Sequence, residues 1–129
     1  GIGYLVVTSM ARHYQISNTH FKQGTQSVLI IIAHLFIHPG QEAAFRAFET
    51  QALARFCAHG GEVLAAFRPR PTADGTPTPD EIHVLRIGLE EAFAAYRADP
   101  ALLALADLRA QAIARTEIFL SQETVEYPN

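Results

Sequence analysis

Three side chains have the chemistry to move a proton or hold an anion: His34, His83 and Arg109. Three more could bind a ligand beside them: Arg68, Arg86 and Tyr96. His34 interrupts the run Val28-Leu29-Ile30-Ile31-Ile32-Ala33-His34-Leu35-Phe36-Ile37, the most apolar stretch of the chain. A polar group in such a run must find a hydrogen-bond partner or a cavity. It reads either as a core or interface histidine satisfied by a carbonyl or hydroxyl, or as a pocket acid/base working near neutral pH. His83 lies in Glu81-Ile82-His83-Val84-Leu85-Arg86-Ile87 and invites the same two readings. Arg109 is either a surface cation paired with Asp107 or Glu91, or the cap of a pocket for a carboxylate or phenolate. Tyr96 is read first as helix-to-sheet packing and second as a proton donor. Cys57, the only cysteine, reads as a small buried hydrophobe, and Glu117 and Glu123 as solvated carboxylates.

A metal is not expected. His34 and His38 share a strand face, but four residues at ~3.3 Å each separate them by roughly 13 Å, too far to share an ion. No Glu-x-x-His, His-Glu-x-x-His or Cys-x-x-Cys spacing is present. The glycines form no dinucleotide or phosphate-loop pattern, and no G-x-S-x-G elbow occurs.

These residues need elements to position them. The run Val28–His38 is apolar at odd and even positions, so it reads as a central strand covered on both faces. Pro39-Gly40 turns the chain into a helix over Gln41–His59, with Ala44, Phe45, Phe48, Ala52 and Phe56 as its apolar stripe and Glu49 among the polar residues largely off it. Gly60-Gly61 ends that helix. Glu62–Arg68 reads as a second strand, a Pro-rich loop follows, and Glu81–Ile87 is the third. A short helix over Leu89–Ala98 breaks at Asp99-Pro100. Asp99 is expected to cap a second helix over Pro100–Thr116, followed by an edge strand over Ile118–Tyr127. The order is strand–helix–strand twice, the split βαβ arrangement with antiparallel strand order 4-1-3-2 and both helices on one face. The uncovered apolar face then argues for sheet-to-sheet dimerisation.

The 129 residues have room for one domain, read over 28–129, preceded by an N-terminal extension or arm, 1–27, that is polar over Met10–Ser27 and in which Tyr4–Val7 could add a short edge strand. The net charge of -3 gives no electrostatic case for nucleic acid, and no run is long enough to span a membrane. With no disulfide partner for Cys57, a cytoplasmic protein is expected. Charged residues are 18% of the chain against a usual ~25%, which fits a surface partly covered by a second copy.

The segment Leu89-Glu90-Glu91-Ala92-Phe93-Ala94-Ala95-Tyr96-Arg97-Ala98-Asp99-Pro100, with Arg109 in the next helix, resembles the dimeric α+β barrel superfamily. The resemblance covers about Val28 to Tyr127 and is strongest to small uncharacterised bacterial members. It implies a ferredoxin-like α+β subunit, βαββαβ, that pairs sheet to sheet as a homodimer with a pocket between sheet and helices. The superfamily includes cofactor-free monooxygenases, isomerases and haem enzymes. The expectation here is a small-molecule-binding dimer without a cofactor. The alternative is a cofactor-free monooxygenase or isomerase acting on a small phenolic or carboxylate substrate, with His34 or His83 as base and Arg109 or Arg86 holding the anion. A third reading is an assembly module without turnover. Whether the chain is an enzyme is left open, because fold does not decide function.

Overall fold

The structure is a computed structural model that describes residues 28–88, 90–122 and 124–128. The expected arm over 1–27, with its strand at Tyr4–Val7, lies outside the described residues, as does Glu123. The elements run β1 (Leu29–Ile37), α1 (Glu42–Ala58), β2 (Glu62–Phe67), β3 (Glu81–Ile87), α2 (Glu90–Arg97), α3 (Pro100–Leu103), α4 (Ala106–Ala112) and β4 (Ile113–Ser121). The strands form one antiparallel sheet in the order β2-β3-β1-β4, which is the expected order read from the opposite edge.

Alternation along β1 explains its apolar character on both sides. Leu29, Ile31, Ala33 and Leu35 point to the helices and are buried, while Ile30, Ile32, His34 and Phe36 point to the open face and are only partly covered. The α1 stripe of Phe45, Phe48, Ala52 and Phe56 closes the core from above. The turn after α1 needs both of its glycines for different reasons. Gly60 has φ +88°, the left-handed region that glycine enters cheaply. Gly61 is buried, and a Cβ there would overlap the Phe56 ring.

Asp99 caps α3 as its sequence context predicts. Its backbone is extended, and Oδ1 accepts from the Ala101 N–H at 2.8 Å. The buried carboxylate does more than cap. Its Oδ2 accepts from Arg55 Nε and lies 2.9 Å from His59 Nε2, joining the end of α1 to the α2–α3 corner. The His59, Ala101 and Arg55 hydrogen bonds hold its pKa down at about 2.

The C-terminal elements correct the sequence reading. The helix expected over Pro100–Thr116 is two short pieces that end at Ala112, and the last strand is Ile113–Ser121 rather than Ile118–Tyr127. Pairing with β1 overrides the helical period: Ile113 aligns with Ile37, Thr116 with Leu35 and Ile118 with Ala33. The His38 N–H donates to the Ala112 carbonyl at 2.8 Å where the helix gives way to the strand. Residues 124–128 have no regular structure. Cys57 is also corrected: it is exposed, since the buried face of α1 is taken by Phe45, Phe48, Ala52 and Phe56.

Candidate functional site

Between the helix side of the sheet and α1–α4 lies a cavity of about 130 Å³. Most of its wall is apolar: Ile31, Leu35, Phe48, Ala52, Phe56, Leu85, Phe93 and Ile118 all contribute. Its polar groups are His83, Glu49, Arg109, Arg97, Tyr96 and Thr116.

The pleat of β3 explains how His83 arrives there. Opposite Ala33 on β1, it shares the helix-facing side with Glu81 and Leu85, and it is 2% exposed. Its Nε2 lies 2.6 Å from Glu81 Oε2. Glu81 is ionised. Burial alone would raise its pKa, but the hydrogen bonds from His83 and Arg68 outweigh burial and hold it below the ordinary carboxylate value. A carboxylate can only accept, so His83 Nε2 carries a proton and donates it to Glu81. Arg68 Nε donates to the other oxygen of Glu81 at 3.1 Å. Glu81 therefore links a buried imidazole to an exposed guanidinium.

Glu49 comes from α1, and the sequence reading set it off the apolar stripe. That reading is corrected: Glu49 lines the cavity. The residue is half-buried. Burial, followed by the negative charge of Glu81, pushes its pKa up to about 8 against a smaller opposing pull from Arg109. The signal was present in the spacing, since Glu49 follows Phe45 by four residues and precedes Ala52 by three. Glu81 was likewise missed, although a residue two before His83 on a strand must share its face.

The six residues singled out from sequence separate into three places. His83, Arg109 and Tyr96 meet at the cavity. Arg109 Nη2 donates to Thr116 Oγ1 at 3.3 Å, and Tyr96 packs edge-on against Phe56 with ring centres 5.1 Å apart. His34 and Arg86 are on the other side of the sheet. His34 Nδ1 lies 3.4 Å from Glu117 Oε1, its ring packs edge-on against Phe119, and Arg86 pairs with Glu62 at 2.6 Å. His34 aligns with Ile82 and His83 with Ala33, so the two histidines occupy opposite faces. Glu117 is accordingly not merely solvated, since it also pairs with Arg115 at 3.2 Å. Arg68 stands outside the cavity, behind Glu81. Among the described residues no cluster of three or more His, Cys, Asp or Glu is placed to hold a metal ion. No helix among them is long and apolar enough to cross a membrane.

No protein-family model and no curated protein matches the sequence. Solved structures match the fold. A protein of unknown function from Rhodopseudomonas palustris is 11% identical with a TM-score of 0.67, covering 87% of this chain and 94% of that one. SnoaB, a cofactor-independent oxygenase from Streptomyces nogalater, is 17% identical with a TM-score of 0.59, covering 80% and 99%. A DABB-family protein with a ferredoxin-like fold from Mesorhizobium loti is 13% identical with a TM-score of 0.58, covering 78% and 100%. At these identities the likeness shows the fold alone, a small ferredoxin-like α+β domain.

Proposed function

We propose that this chain is a small-molecule-binding domain that works as a homodimer paired through its open sheet faces. The observation that carries the binding function is a largely apolar cavity lined also by one buried histidine and by Glu49, Arg97 and Arg109. Its size limits the ligand. At about 130 Å³ it is close to the ~150 Å³ apolar cavity that accepts benzene, so one ring or a short carbon chain fills it. The polar cluster selects a ligand that also carries an oxygen function. Binding of 4-methylphenol and of toluene, followed by calorimetry and by thermal shift, tests this. Tighter binding of 4-methylphenol, lost when Ala52→Phe fills the cavity, is expected. Failure of both compounds to bind overturns the reading.

A second reading is turnover without a cofactor, of the oxygenase or isomerase type. It is favoured by the 2.6 Å contact between His83 and Glu81, which orients the ring and leaves Nδ1 as the base. Arg109 then stabilises the anion formed. His34 and Arg86 lie on the other face of the sheet, away from this cavity.

Dimer formation is supported by the open face itself. Ile30, Ile32, Phe36, Ile82, Val84 and Phe119 present an apolar surface that the chain's own helices do not cover.

A further inference from the structure

We propose that Glu49 is the proton carrier of this site, passing protons between water in an outer groove and the ligand held beside His83. The proposal rests on the cavity reading above for its ligand. Its basis is position. A second hollow lies outside the cavity, lined by Arg46, Thr50, Arg68 and Glu81 as well as Glu49. Among the described residues Glu49 is the charged side chain that lines both spaces. It stands between the largely apolar cavity and an outer surface where Arg46 is exposed.

The groups around it suit that task. From β3 it meets the charge of Glu81, and from α4 that of Arg109. His83 lies across the cavity side, and Arg46 and Arg68 lie on the groove side. Arg97 and Tyr96 of α2 also line the cavity. With its pKa at about 8, Glu49 is a carboxylic acid at neutral pH and can donate as well as accept. A ligand with an acidic C–H next to a carbonyl group shows the balance. The C–H proton passes to His83 Nδ1, and the Glu49 carboxyl gives its proton to the carbonyl oxygen. The C–H and carboxyl O–H bonds break, and an N–H and an enol O–H bond form. The imidazolium then returns its proton to the Glu49 carboxylate, which also exchanges with groove water. No electrons are gained or lost, so no oxidant is needed.

The test is nuclear magnetic resonance on the whole chain labelled with carbon-13 at the glutamate carboxyls. Glu49 is expected to be protonated at pH 7, and protein-promoted exchange with water of the acidic C–H protons of cyclopentanone, a ring carrying a carbonyl, is expected to slow at least tenfold in Glu49→Gln. Arg46→Ala should leave that rate unchanged. An ionised Glu49 at pH 7, or an unslowed exchange in Glu49→Gln, overturns the proposal. If Glu49→Gln does not fold, the wild-type Glu49 signal, assigned through its spatial contacts, decides by its protonation at pH 7 and its exchange with water. Binding of 4-methylphenol to the wild type separates the two readings. Binding with unslowed exchange removes the carrier and leaves the cavity reading standing. Slowed exchange without binding supports the carrier and removes the cavity reading.

Discussion

Glu49 and Asp99 are both carboxylates inside the fold, and their surroundings move them in opposite directions. Asp99 gains hydrogen bonds from His59, the Ala101 N–H and Arg55, which favour its charged form. Glu49 has no such compensation strong enough to offset burial. The consequences for stability have opposite signs. Folded Glu49 keeps its proton up to about pH 8, whereas the unfolded carboxyl releases it near 4.5. Between those values the folded state binds more protons, so this contribution falls by about 1.4 kcal/mol per pH unit as pH rises, and it is gone above about pH 8. Glu49→Gln should remove that slope, so the variant is expected to be the more stable protein at pH 7. Urea unfolding at pH 5, 6, 7 and 8 checks it; parallel wild-type and variant curves would contradict the burial of this carboxyl. For Asp99 the folded value is depressed. Its contribution is present above about pH 4 and lost as pH falls toward 2. Asp99→Asn should therefore lower the melting temperature at pH 7 and have a much smaller effect at pH 2.5, read by circular dichroism.

The elements most dependent on one another are α1 and the turn that follows it. Phe56 is 1% exposed, it packs under Tyr96, and Gly61 leaves the room for its ring. Phe56→Ala is expected to cost about 3–5 kcal/mol by loss of burial and creation of a cavity. Gly61→Ala should cost about 1–3 kcal/mol by overpacking, and Phe56→Leu should relieve part of it. Denaturant midpoints for the two single variants and the double variant measure that coupling; strict additivity would show that Gly61 and Phe56 do not compete for the same space. The same elements show what spacing could and could not reveal. The stripe of α1 and the cap at Asp99 follow from local pattern, and both were legible. The end of α4 was not. The leucine pattern continues past Ala112 as far as Ile113, and only the ladder with β1 turns that residue into a strand.

At the level of the molecule, the proposed homodimer rests on the open face of the sheet. Its apolar centre is ringed by charges: Arg115 lies over the Phe36 ring at 4.0 Å, and Arg86 pairs with Glu62. Ile32 sits in the middle strand between Val84 and Phe119. Ile32→Glu should convert a dimer into a monomer, because an unpaired carboxylate would be buried at the interface. Light scattering after size-exclusion chromatography measures it. A monomeric wild type, or a variant that still dimerises, would remove the homodimer. The variant should leave 4-methylphenol binding little changed, since Ile32 faces away from the cavity.

Local pattern was sufficient for the α+β class, the strand order, the first helix, the capped corner and an apolar sheet face without its own cover. The elements depend on neighbours a few residues apart, where periodicity and turn chemistry act, and the strand order followed from their succession as a split βαβ arrangement. It was also sufficient to bring forward His83, Arg109 and Tyr96. The partition of His34 from His83 came from register, because a shift of one residue in the β1–β3 ladder exchanges the faces. The partial burial of Glu49 and its placement beside Glu81 and Arg109 came from packing between α1, β3 and α4. Burial depends on elements far apart in the chain, and burial is what turns an ordinary helix glutamate into a group that holds its proton near neutral pH.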